Sequence, residues 1–177
     1  MANLTRRPPK GKGVMRRNVR AAASGPRTEY LAFVLAGETY AAPVSLIREI
    51  VNPPPLTPVP RAPSVTMGIV SVRGQLVTVM DLRRRMRLQE SGGTRRTRIL
   101  LIESMSGELI GLYVDEVQQV YRLAETEIEH ATAALGGDVA GYIAGIARPQ
   151  GSVAFGDTVG GQAPVIILLD LHAILGS

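Results

Sequence analysis

The sequence predicts an all-β protein made of two similar small β subdomains with a few short helices. Three observations carry that prediction. Short runs rich in Val, Ile and Leu recur through residues 29–177 between Gly- or Pro-marked breaks, the pattern of strands joined by turns. Stretches with helical periodicity are few and brief, which points to barrels or sandwiches. The order of turns and strands then occurs twice along the chain.

Taken in order, residues 30–35 alternate, with Leu31, Phe33 and Leu35 on one face of a strand. Ala36-Gly37-Glu38 makes a tight reversal, and 40–44 runs back. A short helix is expected over 45–50. Residues 67–72 and 75–80 flank Arg73-Gly74, a hairpin signal, and a second short helix is expected over 82–88. Runs 99–103 and 109–114 flank Met105-Ser106-Gly107. The last strand pair is 142–147 with 164–169, followed by a terminal helix over 171–175.

The repeat is visible residue by residue. Gly37-Glu38 through Val44 resembles Gly107-Glu108 through Val114. Gly68-Ile69 and Arg73-Gly74-Gln75 resemble Gly145-Ile146 and Gln150-Gly151-Ser152. The strand ending in Asp81-Leu82 resembles the one ending in Asp170-Leu171. The offset grows from 70 residues (37 to 107) to 77 (68 to 145) and 89 (81 to 170), so the second copy has longer loops. A division near Ser91-Gly92-Gly93 follows, with 29–90 plus the returning 164–176 as one subdomain and 91–163 as the other. Neither is large enough to hide its apolar surface alone, so the two are expected to pack together. A groove between them is the place to look for a ligand or partner.

Composition narrows the function. The 177 residues are 45% hydrophobic and contain no Cys, which excludes disulfides, thiol catalysis and thiolate zinc sites. Only His130 and His172 are present, so a His-rich metal site is excluded too. The longest apolar run, 165–169, is far short of the roughly 18–20 residues of a membrane span. No hydrophobic block near the N-terminus suits a signal peptide, so a cytoplasmic protein without membrane insertion is expected.

The charge is unevenly placed. Residues 1–28 hold Arg6, Arg7, Lys10, Lys12, Arg16, Arg17, Arg20 and Arg27 and no acid. Taking those eight from the 20 basic residues leaves 12 against 15 acidic, a charge of −3 for the remainder. The tail has few large apolar side chains to offset its ordering entropy and is expected to be disordered up to about Thr28. It is either a solvated extension or a handle for nucleic acid, an anionic membrane or an acidic protein. Arg83, Arg84, Arg85 and Arg87, with Arg95, Arg96 and Arg98, form a second basic patch, again either solvated or partner-facing.

Catalytic constellations are missing: no G-x-S-x-G, no G-x-x-x-x-G-K-[ST], no H-E-x-x-H. An enzyme is not expected, nor a cofactor or metal. Asp81, Asp115 and Asp170 follow apolar strands, where an Asp serves as a base or ligand, or caps the next turn. The matched places of Asp81 and Asp170 in the repeat favour caps. His130 and His172 are expected at the surface. Arg73, at a hairpin tip, suits either a bidentate clamp on a carboxylate or a solvated turn.

These motifs, in this order, resemble the CheW family, small adaptors that couple chemoreceptors to the histidine kinase CheA. The resemblance covers about residues 29–176. Phe33-Val34-Leu35 through Ala41 resembles the family's opening hairpin, and Val44 with Ile47-Arg48-Glu49-Ile50-Val51 resembles its V-x-E-I element. Met67-Gly68-Ile69 through Arg73-Gly74 resembles G-[VI]-x-N-L-R-G, with Ser71 and Val72 in place of Asn and Leu. Residues 76–82 resemble I-P-V-I-D-L, with Thr78 in place of Pro, and Gly111 through Val117 resembles G-L-x-V-D-x-V. The resemblance implies two five-stranded, SH3-like β-barrels packed together and a non-catalytic coupling role at receptor arrays. Its implied partners are the cytoplasmic tip of a chemoreceptor and the regulatory domain of a CheA-like kinase. The residues implied to bind the receptor are Ile47, Glu49, Gly68, Arg73 and Gly74.

Overall fold

The opening hairpin forms where the alternation places it, beginning slightly earlier. In the computed structural model, which describes residues 25–89, 92–131, 140–149 and 164–176, strand β1 spans Arg27–Leu35 and β2 spans Glu38–Pro43. They pair antiparallel around Ala36 and Gly37, whose φ values of 51° and 88° are those of a primed hairpin turn. Arg27 and Thr28, expected to be disordered, are in β1 and pair with Ala124 and Leu123. The basic residues Arg6 to Arg20 lie outside the described residues.

A 3-10 turn, Val44–Leu46, leads into β3, Ile47–Val51. Most of the helix expected over 45–50 is therefore strand. Leu46, Ile47 and Ile50 share a helical spacing, but pairing of β3 with β6 (Arg98–Glu103) decides the matter, from Ile47↔Ile102 to Val51↔Ile99. Strands β4 (Thr66–Val72) and β5 (Gln75–Asp81) form the second hairpin. The helix α1 that follows is only Leu82–Arg85. β7 (Leu109–Val114) pairs with β6, and β8 (Glu116–Ala124) and β9 (Ile128–His130), not anticipated from sequence, come next. β10 (Ile143–Ala147), β11 (Ile166–Leu169) and α2 (Leu171–Leu175) complete the described elements.

The strands form two sheets among the described residues, ordered β8-β1-β2-β11-β10-β9 and β3-β6-β7-β5-β4. The repeat survives as hairpin, strand, hairpin, helix in both halves, with β9 as an extra strand in the second and the boundary between α1 and β6. The strand pairing within each sheet does not follow that boundary. Each sheet takes the first hairpin of one repeat and the later strands of the other. β2 runs parallel to β11 and β7 parallel to β5. The cause lies in the connectors. Three residues, in a 3-10 turn with no positive φ, separate β2 from β3, and Asp115 alone separates β7 from β8. Neither link has the left-handed turn that reverses β1 into β2 or β4 into β5, so the chain runs on into the other sheet.

This interlacing buries both faces of the central strands. Leu31, Phe33, Leu35, Tyr40 and Ala42 of one sheet meet Leu100, Ile102, Leu112 and Val114 of the other, with Leu82, Leu171 and Ile174 from the helices and Met86 just after α1 closing the layer. The alternate residues Ala32 and Ala41 join Tyr121, Leu123, Ile166 and Leu168 in a smaller core. Ile99 and Leu101 join Val70, Val77 and Val79 in another. Each fully buried Leu, Ile or Phe side chain contributes about 1.5–3 kcal/mol of transfer free energy, so the shared layer holds the sheets together. Burial, and secondarily the Glu38 carboxylate, raises the pKa of the Tyr40 hydroxyl in that layer.

The matched aspartates cap the two helices. Asp81 Oδ1 accepts from the Arg83 and Arg84 amides at 2.9 and 3.4 Å. Asp170 Oδ1 accepts from the His172 and Ala173 amides at 3.0 and 3.1 Å. Asp81→Ala is expected to lower stability by about 1 kcal/mol, read as a lower urea midpoint at unchanged slope. An unchanged midpoint would contradict the cap.

Candidate partner-binding groove

β3 and β8 are equivalent strands of the two repeats, each following a first hairpin, and each is the edge of its sheet. A groove of about 310 Å³ opens between them, lined by Leu31, Val44, Ile47, Arg48, Glu49, Ile50 and Val120. Its lining is mainly apolar, and Ile50 and Val120 stand 42% and 48% exposed, which edge strands of a fully sealed sandwich would not show. At Val44 the groove continues into a wider hollow that includes Ser45 and the charged residues Arg27, Glu29 and Arg122. There Arg122 Nε donates to Glu29 Oε1 at 2.8 Å, and Arg27 Nη1 donates to the Arg122 carbonyl at 3.0 Å.

The polar rim of the groove is built by closing the smaller sheet on itself. β3 and β4 are its opposite edges, yet Arg73 Nη2, at the tip of the β4–β5 hairpin, donates to Glu49 Oε1 on β3 at 2.8 Å. Arg73 and Gly74 have φ of 50° and 82°, the conformation this two-residue turn requires. Of the two alternatives for Arg73, a bidentate clamp on a carboxylate or a solvated turn residue, the structure combines parts of each: a single charge-assisted bond within the chain, with the side chain 78% exposed. Arg48, beside it on β3, pairs with Glu103.

The structure therefore brings Ile47, Glu49 and Arg73 together and places Gly68 apart from them. The segment after β3 returns along β4, with Thr57 and Ile69 exchanging backbone hydrogen bonds of 2.9 and 2.8 Å. A Cβ on Gly68 would lie 2.5 Å from the Thr57 carbonyl oxygen, and its φ is 153°. The close backbone approach at Gly68 is an internal one. Gly74 faces open space and serves the turn.

Much of the second basic patch is internally paired. Arg83 is buried, with an ion pair to Asp115. Arg84 donates to the Ser64 carbonyl at 3.1 Å and pairs with Asp81. Arg85 Nε donates to the Ile174 carbonyl at 2.8 Å while its guanidinium lies 5.0 Å from the Tyr142 ring centroid. Arg96 pairs with Glu116, and Arg98 donates to the carbonyls of Arg95 and Thr97. Asp115 is thus an ion-pair partner. His172, expected at the surface, is half-buried, while His130 is exposed beside Glu125. No cluster of three or more His, Asp or Glu suited to a metal occurs among the described residues. No helix among them is long and apolar enough to cross a membrane.

Sequence reasoning did not single out Leu31, Val44, Ile50 and Val120 as groove residues. The usable signal was an apolar residue on the open side of an edge strand, and recognising it requires knowing which strands are edges.

Residues 29–177 match the family model described as CheW-like domain. The chain is 24% identical over 170 residues to the chemotaxis protein CheW of Treponema pallidum, covering 94% of this chain and 93% of that one. It is 28% identical over 101 residues to the CheW of Helicobacter pylori, covering 57% of this chain and 61% of that relative's length. Among solved structures, the scaffolding protein TtCheW from Thermoanaerobacter tengcongensis aligns with a TM-score of 0.72 at 26% identity, covering 85% of this chain and 94% of that one. The match to its SH3-like fold agrees with the two all-β sheets packed through a common core. The chain belongs to the CheW-like family of non-catalytic scaffold proteins.

Proposed function

We propose that this protein couples the cytoplasmic tip of a chemoreceptor to a CheA-like histidine kinase and thereby controls kinase activity in a receptor array on the cytoplasmic side. The observation that carries this reading is the apolar groove between β3 and β8 with the Glu49–Arg73 pair at its rim. A helical receptor tip presents an apolar stripe, and Ile47, Ile50 and Val120 offer anchors for it. Glu49 and Arg73 add a charge pattern that selects among such tips. Coupling then requires only that receptor conformations differ in how well they bind here, because a scaffold with equal affinity for both states shifts nothing.

The test is recovery from native lysate of a CheA-type kinase and a chemoreceptor, using the full chain beside one lacking residues 1–24. The deletion ends there because β1 begins at Arg27. Both partners are expected with both chains. Recovery of nucleic acid or another acidic partner by the full chain alone, with steep loss of affinity as salt rises, would favour the basic tail as the functional element instead.

A further inference from the structure

Among the described residues the chain crosses between the sheets twice, after β2 and after β7, and the two crossings are equivalent in the repeat. They are held differently. At the first, Val44 and Ser45 line the open groove and hollow. At the second stands Asp115, where one oxygen, Oδ1, accepts from Arg83 Nε at 2.6 Å and from Arg83 Nη2 as well. The other, Oδ2, accepts from the Ala36 amide at 2.8 Å, and the Asp115 amide donates to the Val34 carbonyl at 3.1 Å. Arg83 belongs to α1, which is continuous with β5 of one sheet, and Ala36 is the hairpin turn of the other. Aligning the repeats sets Ser45 against Asp115 and His172 against Arg83, so this pair has no charged counterpart at the first crossing.

We propose that Asp115 is a positioning residue: with Arg83 it fixes the angle between the two sheets, and through that angle the spacing of β3 and β8 across the groove. The apolar layer between the sheets supplies adhesion, but hydrophobic attraction is non-directional. A buried ion pair commonly adds little net stability over apolar groups of similar volume, while imposing one geometry. Asp115 directly precedes β8, and β8 pairs with β1 through Val34↔Glu116 and Leu31↔Val120, so the pinned end and the groove wall belong to one strand pair. The partner-binding part of this inference rests on the proposed receptor role, whereas the orientation part does not.

The test uses the full chain carrying Arg83→Met together with Asp115→Leu, and separately Asp115→Asn, which is read alone if the double variant fails to fold. Residual dipolar couplings of backbone amides report the orientation of each sheet. The expected result is a double variant that melts at or above the wild-type temperature, with each sheet fitting its own alignment tensor and the two no longer fitting a common one. Affinity for a soluble receptor cytoplasmic fragment is expected to fall about tenfold with the lost preorganisation. A common tensor at wild-type orientation in every folded variant would overturn the proposal, as would altered orientation with unchanged affinity. If the wild-type chain itself does not bind the fragment, the receptor role fails and the couplings alone decide whether Asp115 sets the sheet angle.

Discussion

Arg73→Glu is expected to weaken receptor binding by about a hundredfold or more, because like charges opposed at an interface cost several kcal/mol. The substitution sets a carboxylate beside Glu49, where Arg73 Nη2 now donates at 2.8 Å. Thermal stability is expected to change little. Arg73 is mostly exposed, and exposed ion pairs contribute only about 0–1 kcal/mol. The loss should therefore separate from unfolding: a strong drop in affinity by titration calorimetry with a nearly unchanged melt. Pairing it with Glu49→Arg rebuilds the bridge in reverse. Recovery of binding in the double variant would assign the effect to the bridge as a brace for β3, and continued loss would assign it to charges read directly by the receptor. Wild-type affinity in Arg73→Glu would remove this rim from the binding surface.

Gly68→Val is expected to cost about 2–4 kcal/mol through backbone strain and overpacking together. The added Cβ would stand 2.5 Å from the Thr57 carbonyl oxygen and 3.0 Å from its carbon, and both are backbone atoms that no rotamer change relieves. The φ of 153° is strained for any L side chain. The chain must part from Thr57 or β4 must shift, and either breaks the two Thr57–Ile69 hydrogen bonds. Urea unfolding reads the loss directly. Gly74→Ala is the control, with open space around the new Cβ and only the turn conformation to oppose it. A Gly68 variant that binds receptor poorly would do so through the displaced segment after β3. If Gly68→Val unfolds at the wild-type midpoint, that segment does not lie against β4 as described.

What the sequence reveals here is local structure, and what it conceals is partnership between distant segments. The hairpins at Ala36-Gly37 and Arg73-Gly74 are legible because alternation and turn residues coincide. The helix caps Asp81 and Asp170 are legible because the repeat matches them. β8 is not, since Gln118 and Gln119 interrupt its apolar alternation, and its inward residues Tyr121 and Leu123 come late in the strand. The interlaced sheets are not legible either, because the links at 44–46 and 115 carry no turn signal and their outcome depends on which distant strands are paired. The groove inherits that difficulty: Ile50 and Val120 face each other across the sheet boundary while lying far apart in the chain. Nor does a run of Arg83, Arg84 and Arg85 reveal that the first is buried on Asp115 and the third is tied to α2.

The central claim is that this chain recruits the kinase to the receptor. Its most direct test is sedimentation of a CheA-type kinase with native receptor-bearing membranes, with and without the purified protein, and with Arg73→Glu in its place. The account predicts kinase in the pellet only when the wild-type chain is added, and a largely empty pellet with Arg73→Glu. Equal sedimentation of the kinase in the absence of the chain would contradict it.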